Sequence, residues 1–361
     1  MSHEIETITL TAADGTTEER NLCGGTKAEG QGWHGLLTLA DAWTVKSARD
    51  FMLADREQCV VPYYVKDPKT GSFCESTRQC AVLIGDPDGS YREIGNVAPS
   101  YGLTTHTQIL DIAEKIEAAG HEVSTFGSLF NGSRIFVGFK LDTRDVRPGD
   151  PLYTYAIATQ GIDGSTGISL LKTMIRGVCW NTVSSAMRRS ERDGTSTTIK
   201  HRGSRDANGN LDVSNVVDRF DRAVQGMLKD IGGDVEKFKL LEEVKVKDDR
   251  QIQEFANRIR GHAADWTPAN TKAGTPRSDG FFLDIQRAFM ASPGCGETGS
   301  FWELFNAATY GLTHDQGNKR KGESDASRTA RRFSELTLGG GLAKQADLAL
   351  EVALDMATTT A

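Results

Sequence analysis

An Asn-Gly dipeptide, Asn131-Gly132, does most to limit what this chain can fold into, because it joins two β-rich runs, VSTFGSLF and RIFVGFKL. Both residues tolerate the positive φ angles of a tight hairpin turn, so the pair between such runs indicates a β-hairpin. A third run of the same kind, LYTYAIAT, follows an RPGDP loop. We therefore predict a three-stranded antiparallel meander in the middle of the chain.

A helix is predicted directly before this meander. Its apolar residues recur at helical spacing, at Ile109, Ile112, Ala113 and Ile116. Thr105 or Thr107 can cap its start, and Gly120 can close its end as the C′ residue. Further upstream, VVPYYV and CAVLIG predict two strands around the turn-forming KDPKTG, and GDPDGSYREIG predicts another turn.

A second helical pattern follows the meander in ISLLKTMIRGVCWNTVSSAMRR. Apolar or small residues recur at helical spacing, at Ile168, Leu171, Ile175, Val178, Thr182 and Ala186. We predict a long amphipathic helix from Ile168 to Arg189, with one face on the sheet. Beyond Leu211, five more helical patterns are separated by Gly, Pro and Ser.

The predicted fold class is α+β, with an antiparallel β-meander packed on a long amphipathic helix and a mainly helical C-terminal region. The predicted organisation has three parts. Residues 1–32 form a polar, Gly-rich N-terminal arm without a core, residues 33–205 form the α+β core, and residues 206–361 form the helical region.

Composition narrows the class of protein. The chain has 361 residues, no run of about 18 apolar residues and no export signal, so we expect a soluble, cytoplasmic protein that does not enter a membrane. Its six cysteines form no C-x-x-C pair, which favours reduced thiols over a metal site. The sequence lacks the phosphate-loop, zinc-protease, serine-hydrolase and dinucleotide motifs, so we predict no catalytic residue, no metal and no cofactor.

Four stretches carry a resemblance to a known family: WHGL at 33–36, GSLFNGSRIFVGFKL, IRGVCWNT at 175–182, and NAATYG with the later GLAKQADLAL. In order and spacing they resemble the phage/plasmid-like protein family, an uncharacterised family of prophages, plasmids and phages. The resemblance implies a mobile-element setting and no settled activity. The predicted topology is also similar to that of single-strand annealing proteins such as Red-beta, RecT and the ring-forming annealases, a likeness of fold alone.

The predicted second helix carries a row of cations with an aromatic residue among them. On it, opposite the apolar stripe, successive residues of the row lie one turn apart: Lys172, Arg176, Trp180, Ser184 and Arg188. The net charge of the chain is −7, yet the segment from 172 to 205 holds eight cations against Glu191 and Asp193. They are Lys172, Arg176, Arg188, Arg189, Arg192, Lys200, Arg202 and Arg205. Such clustering is the charge pattern expected where phosphates bind.

Single-stranded nucleic acid is held by cationic grooves with aromatic faces on which bases stack. Trp180, Tyr153 and Tyr155 could supply the faces, and Asn181 could bond a phosphate. In the alternative interpretation, Trp180 packs between helix and sheet and the arginines form a solvated surface. A second basic loop, Lys319-Arg320-Lys321, is either a contact arm or a solvated loop.

The resulting hypothesis is a non-catalytic single-stranded DNA-binding and annealing protein, a homo-oligomer, acting in recombination or replication of a mobile genetic element. Its site would be a groove between the strands of residues 130–159 and the helix of residues 168–189. Two alternatives stay open. One is an interaction or anti-defence protein with a host or phage protein partner, and the other is a metal-dependent nuclease or hydrolase whose carboxylates converge from distant positions.

Overall fold

The structure is a computed structural model, and it describes residues 5–12, 14–26, 38–40, 42–176, 181–185, 197–201, 212–265, 277–291, 295–312, 335 and 341–361. The strands are β1 (Thr7–Thr11), β2 (Thr17–Asn21), β3 (Cys23–Thr26), β4 (Thr38–Ala40), β5 (Gln58–Lys66), β6 (Phe73–Gly85), β7 (Tyr91–Val97), β8 (Val123–Leu129), β9 (Arg134–Asp145), β10 (Pro151–Gly161), β11 (Ile168–Arg176), β12 (Asn181–Ser185) and β13 (Thr197–Ile199). The helices are α1 (Val45–Phe51), α2 (His106–Ala118), α3 (Ser214–Glu243), α4 (Asp249–Ile259), α5 (Arg277–Ala291), α6 (Phe301–Tyr310) and α7 (Gly341–Thr360).

The largest sheet has the order β12-β11-β10-β9-β8-β3-β4, with β13 also paired to β11. All its pairs are antiparallel except β3 with β4. The predicted meander is confirmed as β8, β9 and β10. Asn131 and Gly132 have φ angles of 57° and 82° at the β8–β9 turn, because this tight turn needs backbone that most residues avoid.

A smaller sheet of order β5-β6-β7 contains the two strands predicted from VVPYYV and CAVLIG. Apolar side chains of one of its faces, among them Cys80, Val82 and Val97, pack with Leu103 and Ile162. The loop that joins this sheet to α2 therefore lies beside the C-terminal end of β10.

Helices α1 and α2 and the first half of α3 cover one face of the large sheet. Helix α2 begins where predicted: the Thr105 hydroxyl accepts from the Gln108 amide in a capping box, and Gly120 follows its end with φ of 96°. Buried side chains of these helices, such as Ile109 and Phe220, meet Val137 and Ala156 of the sheet in one apolar cluster. The apolar faces of these helices therefore pack against the sheet.

The C-terminal region is helical, as predicted. The second half of α3 and helices α4 to α7 share a second core with Leu152 and Met174 at the end of the sheet. Helix α6 lies at its centre, where Trp302, Phe305 and Phe238 of α3 form a cluster of aromatic rings. Among the described helices, none has a stretch long and apolar enough to cross a membrane.

The predicted helix from Ile168 to Arg189 is wrong. The first nine residues form β11, and Asn181–Ser185 form β12. All nine residues of β11 are buried, so both faces of the strand are covered by the fold and the alternation that normally identifies a strand is lost. The long amphipathic helix of this protein is α3, which follows in the chain.

The predicted N-terminal arm without a core is also wrong for the described part of residues 1–32. Strand β3 lies in the large sheet beside β8, and Leu22 and Cys23 are buried. Glu6 is fully buried, where it pairs with Arg56 at 2.8 Å and with Arg92. Burial alone would raise the pKa of Glu6, but the bonds from Arg56 and the other partners hold it below its usual value. Polar residues of this segment make buried contacts, and the composition of the segment does not predict those contacts.

Candidate functional site

Lys172 lies inside the protein. Its ammonium donates to Asp230 at 2.7 Å and Asp234 at 2.6 Å, two carboxylates one turn apart on α3. Burial alone would raise the pKa of Asp234, but Lys172 and Lys237 hold it below its usual value. Lys172 therefore fastens the sheet to α3, and its charge is already neutralised.

Arg176 is equally inaccessible. Its Nε donates to Asp150 at 2.6 Å, another guanidinium nitrogen bonds the same carboxylate, and the guanidinium carbon lies 5.2 Å from the ring centre of Trp302. The Trp302 indole N–H also donates to Asp150, at 3.0 Å. The C-terminal helices therefore cover this cation.

Tyr153 and Tyr155 lie on the opposite face of the sheet from these two cations. Tyr155 is fully buried beside Ile157, and the ring of Tyr153 lies 4.6 Å from the Lys140 ammonium. In register, Tyr153 pairs with Ile175 and Tyr155 with Thr173, so the tyrosines share a face with odd-numbered residues of β11. The predicted groove that combines Lys172 and Arg176 with these tyrosines does not exist.

The remaining predicted site residues divide into two groups. Lys200 is exposed, and Asn181 begins β12, although its side chain lies outside what the structure describes. Nine others lie wholly outside the described residues: Trp180, Arg188, Arg189, Arg192, Arg202, Arg205, Lys319, Arg320 and Lys321. Their role stays a prediction.

The small sheet carries an exposed two-stranded projection. Strand β7 pairs with β6 only from Cys80 to Gly85, so the residues of β6 before Cys80 pair with β5 alone. We call residues 64–75, the outer end of this hairpin, the arm. Tyr64, Val65 and Phe73 are 58%, 55% and 69% exposed on it. Large apolar side chains this exposed, close together, are typical of a contact surface.

One face of the arm combines aromatic rings with a cation. Tyr64 pairs across the hairpin with Glu75, and Lys66 pairs with Phe73. Because side chains two residues apart share a face, Tyr64, Lys66, Phe73 and Glu75 stand on one side, and Val65 with its partner Cys74 stands on the other. Lys69 adds a second exposed cation in the turn.

The turn of the arm is well built. The Asp67 carboxylate accepts from the Lys69 amide at 2.8 Å and the Thr70 hydroxyl at 2.9 Å, and Gly71 takes a positive φ of 72°. These bonds hold the pKa of Asp67 below its usual value. The carboxylate of Asp67 is thereby directed inward to the turn, while Lys66 and Lys69 keep exposed ammonium groups.

A wide bulge separates the arm from the body of the small sheet. Pro62 pairs with Cys80 and Tyr64 with Glu75, so Tyr63 alone faces the four residues Ser76–Gln79. The Ser76 hydroxyl accepts from the amides of Arg78 and Gln79, both at 3.2 Å. Bulges bend and twist a hairpin and spoil its edge for further strand pairing. The bulge therefore bends the arm relative to the body of the small sheet.

The sequence predicted the strands of the arm but not its exposed aromatic and basic face. A signal for it was present, because one predicted turn is surrounded by Tyr64, Lys66, Lys69 and Phe73. As for metals, the described residues contain no group of three or more His, Cys, Asp or Glu side chains placed to hold an ion.

Comparisons with known proteins give one family. Searches of the curated proteins and of the solved structures find no match. The model of a family described as a domain of unknown function (DUF932) matches residues 93–334, about two thirds of the chain, from β7 to beyond α6. The chain therefore belongs to the DUF932 family, a family of unknown function.

Proposed function

We propose that this protein is a non-catalytic single-stranded DNA-binding protein that contacts DNA through the arm. The observation that carries the proposal is the exposure of Tyr64 and Phe73 beside Lys66 on one face of the hairpin. Exposed rings next to an ammonium group match the two chemical parts of a nucleic-acid strand, its bases and its phosphates.

The arrangement favours single strands over duplexes. Residues diagonal to one another across an antiparallel pair lie roughly 7–8 Å apart, which is the relation of Tyr64 to Phe73. This separation is about two base steps of ~3.4 Å. Two rings so placed suit unpaired bases, whose faces are accessible, whereas the bases of a duplex are stacked on one another.

The biological setting of the proposal rests on resemblance. The likeness to single-strand annealing proteins was predicted from a helix, a strand meander and a long cationic helix, and the first part of that cationic helix is strand β11. The setting therefore rests on the motifs quoted above, which resemble a phage and plasmid family, and on the analogy with annealing proteins. By that analogy the protein acts as an oligomer in recombination or replication of a mobile element. Annealing would then follow from holding two strands with their bases exposed.

The test is fluorescence anisotropy with a labelled oligonucleotide of about 20 thymidines across a salt series. Each stacked base contributes roughly 1–3 kcal/mol, so the double variant Tyr64→Ala/Phe73→Ala should bind at least about tenfold more weakly. Affinity of the wild-type protein should fall as salt rises, because binding releases counterions.

Two matched controls locate the effect. Val65→Ala removes an equally exposed apolar side chain from the other face of the arm, and Tyr91→Ala removes an exposed ring, 48% accessible, elsewhere on the same sheet. Both should bind as the wild type does. Equal losses in all three variants would argue against stacking on the Tyr64 face.

The same preparation separates the two rival functions. Absence of DNA binding even at low salt, together with capture of a protein partner that requires Tyr64 and Phe73, would replace the proposal with an interaction function. Loss of labelled DNA on addition of Mg²⁺ or Mn²⁺, prevented by EDTA, would instead identify a metal-dependent nuclease.

A further inference from the structure

Helix α5 exposes a second apolar surface, far along the chain from the arm. Ile285, Ala288 and Phe289 of α5 face the C-terminal core. On the other side, Leu283 is 49% and Met290 70% exposed, seven residues apart and therefore on one face of the helix.

A shallow groove runs along this face. It is lined by Asp249, Leu283, Gln286, Arg287 and Met290. The Gln286 side chain donates to the Asp249 carboxylate at 3.2 Å and so links α5 to the start of α4. Arg287, whose side chain is 77% exposed, has the Asp284 carboxylate at 3.7 Å. The groove therefore has apolar ends and a polar centre with charges of both signs.

We propose that a second copy of this chain occupies the groove, with the two α5 helices antiparallel about a two-fold axis near Gln286 and Arg287. A two-fold contact requires that residue i meets residue j and j meets i. Here Leu283 would meet the partner's Met290, and Arg287 would approach the partner's Asp249. In this antiparallel orientation the apolar ends meet each other and each basic group faces an acidic one. With parallel helices, Arg287 would instead face the partner's Arg287.

The contact is small, which sets its strength. One face of a helix with its flanking residues buries less than the roughly 1,200–2,000 Å² of a stable interface. The dimer should therefore dissociate at micromolar concentration. This inference is independent of the proposed DNA binding, since no residue of the arm takes part.

Sedimentation velocity over about 1–100 µM in the absence of DNA tests the interface, in a range chosen around the expected micromolar dissociation constant. The average mass of the wild type should rise from that of one chain to that of two. Leu283→Glu/Met290→Glu should stay at one chain throughout. The control Leu240→Glu changes a 36% exposed leucine on α3 and should dimerise as the wild type does.

Charge reversal tests the register. Arg287→Asp should weaken the dimer about fivefold, the effect of losing an exposed ion pair of about 1 kcal/mol. Adding Asp249→Arg should restore part of the affinity, because each copy then again places opposite charges against its partner. Circular dichroism would verify that each variant is folded. A wild type that remains one chain at 100 µM, or a Leu283→Glu/Met290→Glu variant that still dimerises, would overturn the proposal.

Discussion

Lys66 of the arm and Lys172 of β11 are both strand lysines, yet the structure uses them in different ways. Lys66 is exposed beside Phe73 and Tyr64, while Lys172 is buried against Asp230 and Asp234. A buried cation survives only when it is paired, since an isolated charge in the interior is very unfavourable. The difference teaches that a basic segment in the sequence identifies a binding surface only if no carboxylate of the fold already satisfies it.

The largest expected effect is a loss of stability when a buried cation is replaced. Arg176→Met leaves the Asp150 carboxylate buried without its main counter-ion, which typically costs about 3–5 kcal/mol. We expect the free energy of unfolding, measured by urea denaturation, to fall by that amount. Adding Asp150→Asn removes the stranded charge and should recover part of the loss. A single variant as stable as the wild type would mean that Arg176 is not buried against Asp150 in solution.

An intermediate effect concerns a buried group that stays uncharged. His106 is fully buried, neither ring nitrogen has a hydrogen-bond partner within the described residues, and burial, with Arg56 nearby, lowers its pKa to about 3. The unfolded chain therefore binds a proton near pH 6.5 that the folded chain does not. Stability should be complete above that pH and fall by roughly 1.4 kcal/mol per pH unit as the pH decreases towards 3.

Replacement of this histidine isolates its contribution. Between pH 7 and 5 the variant His106→Gln should lose the slope assigned to His106, because glutamine does not titrate. Glu6, which also faces His106, has a lowered pKa and adds its own loss only at more acidic pH. Urea denaturation at several pH values measures both. An unchanged slope between pH 7 and 5 in the variant would show that His106 is protonated in the folded protein.

The smallest effect on stability is expected at Lys66, the exposed lysine of the arm. Lys66→Glu should change the free energy of unfolding by no more than about 0.5 kcal/mol, as is usual for surface substitutions. Its DNA affinity should drop, and the salt dependence should lose about one unit of slope, corresponding to one phosphate contact. Lys229→Glu, at an exposed lysine of α3, is the matched control and should leave both unchanged. Equal DNA binding by the two variants would remove Lys66 from the site.

Local signals in the sequence were reliable where the structure is decided locally. The turn at Asn131-Gly132 and the cap at Thr105 follow from the backbone preferences of single residues, and both were predicted correctly. The prediction failed at Ile168–Arg176, because apolar residues on the two buried faces of this strand, Ile168 on one and Leu171 and Ile175 on the other, also recur at helical spacing. It failed again for the polar N-terminal segment, where Glu6 is buried by arginines distant in sequence.

The sequence by itself determined the α+β class, the central meander and the helical C-terminal region. Only the tertiary structure decided which cations are available to a ligand. Lys172 and Arg176 are neutralised by carboxylates 26 or more residues away, while the lysines of the arm extend beyond the third strand of their sheet. The physical reason is that turn and helix signals depend on neighbouring residues, whereas burial and ion pairing depend on which distant segments the fold brings into contact.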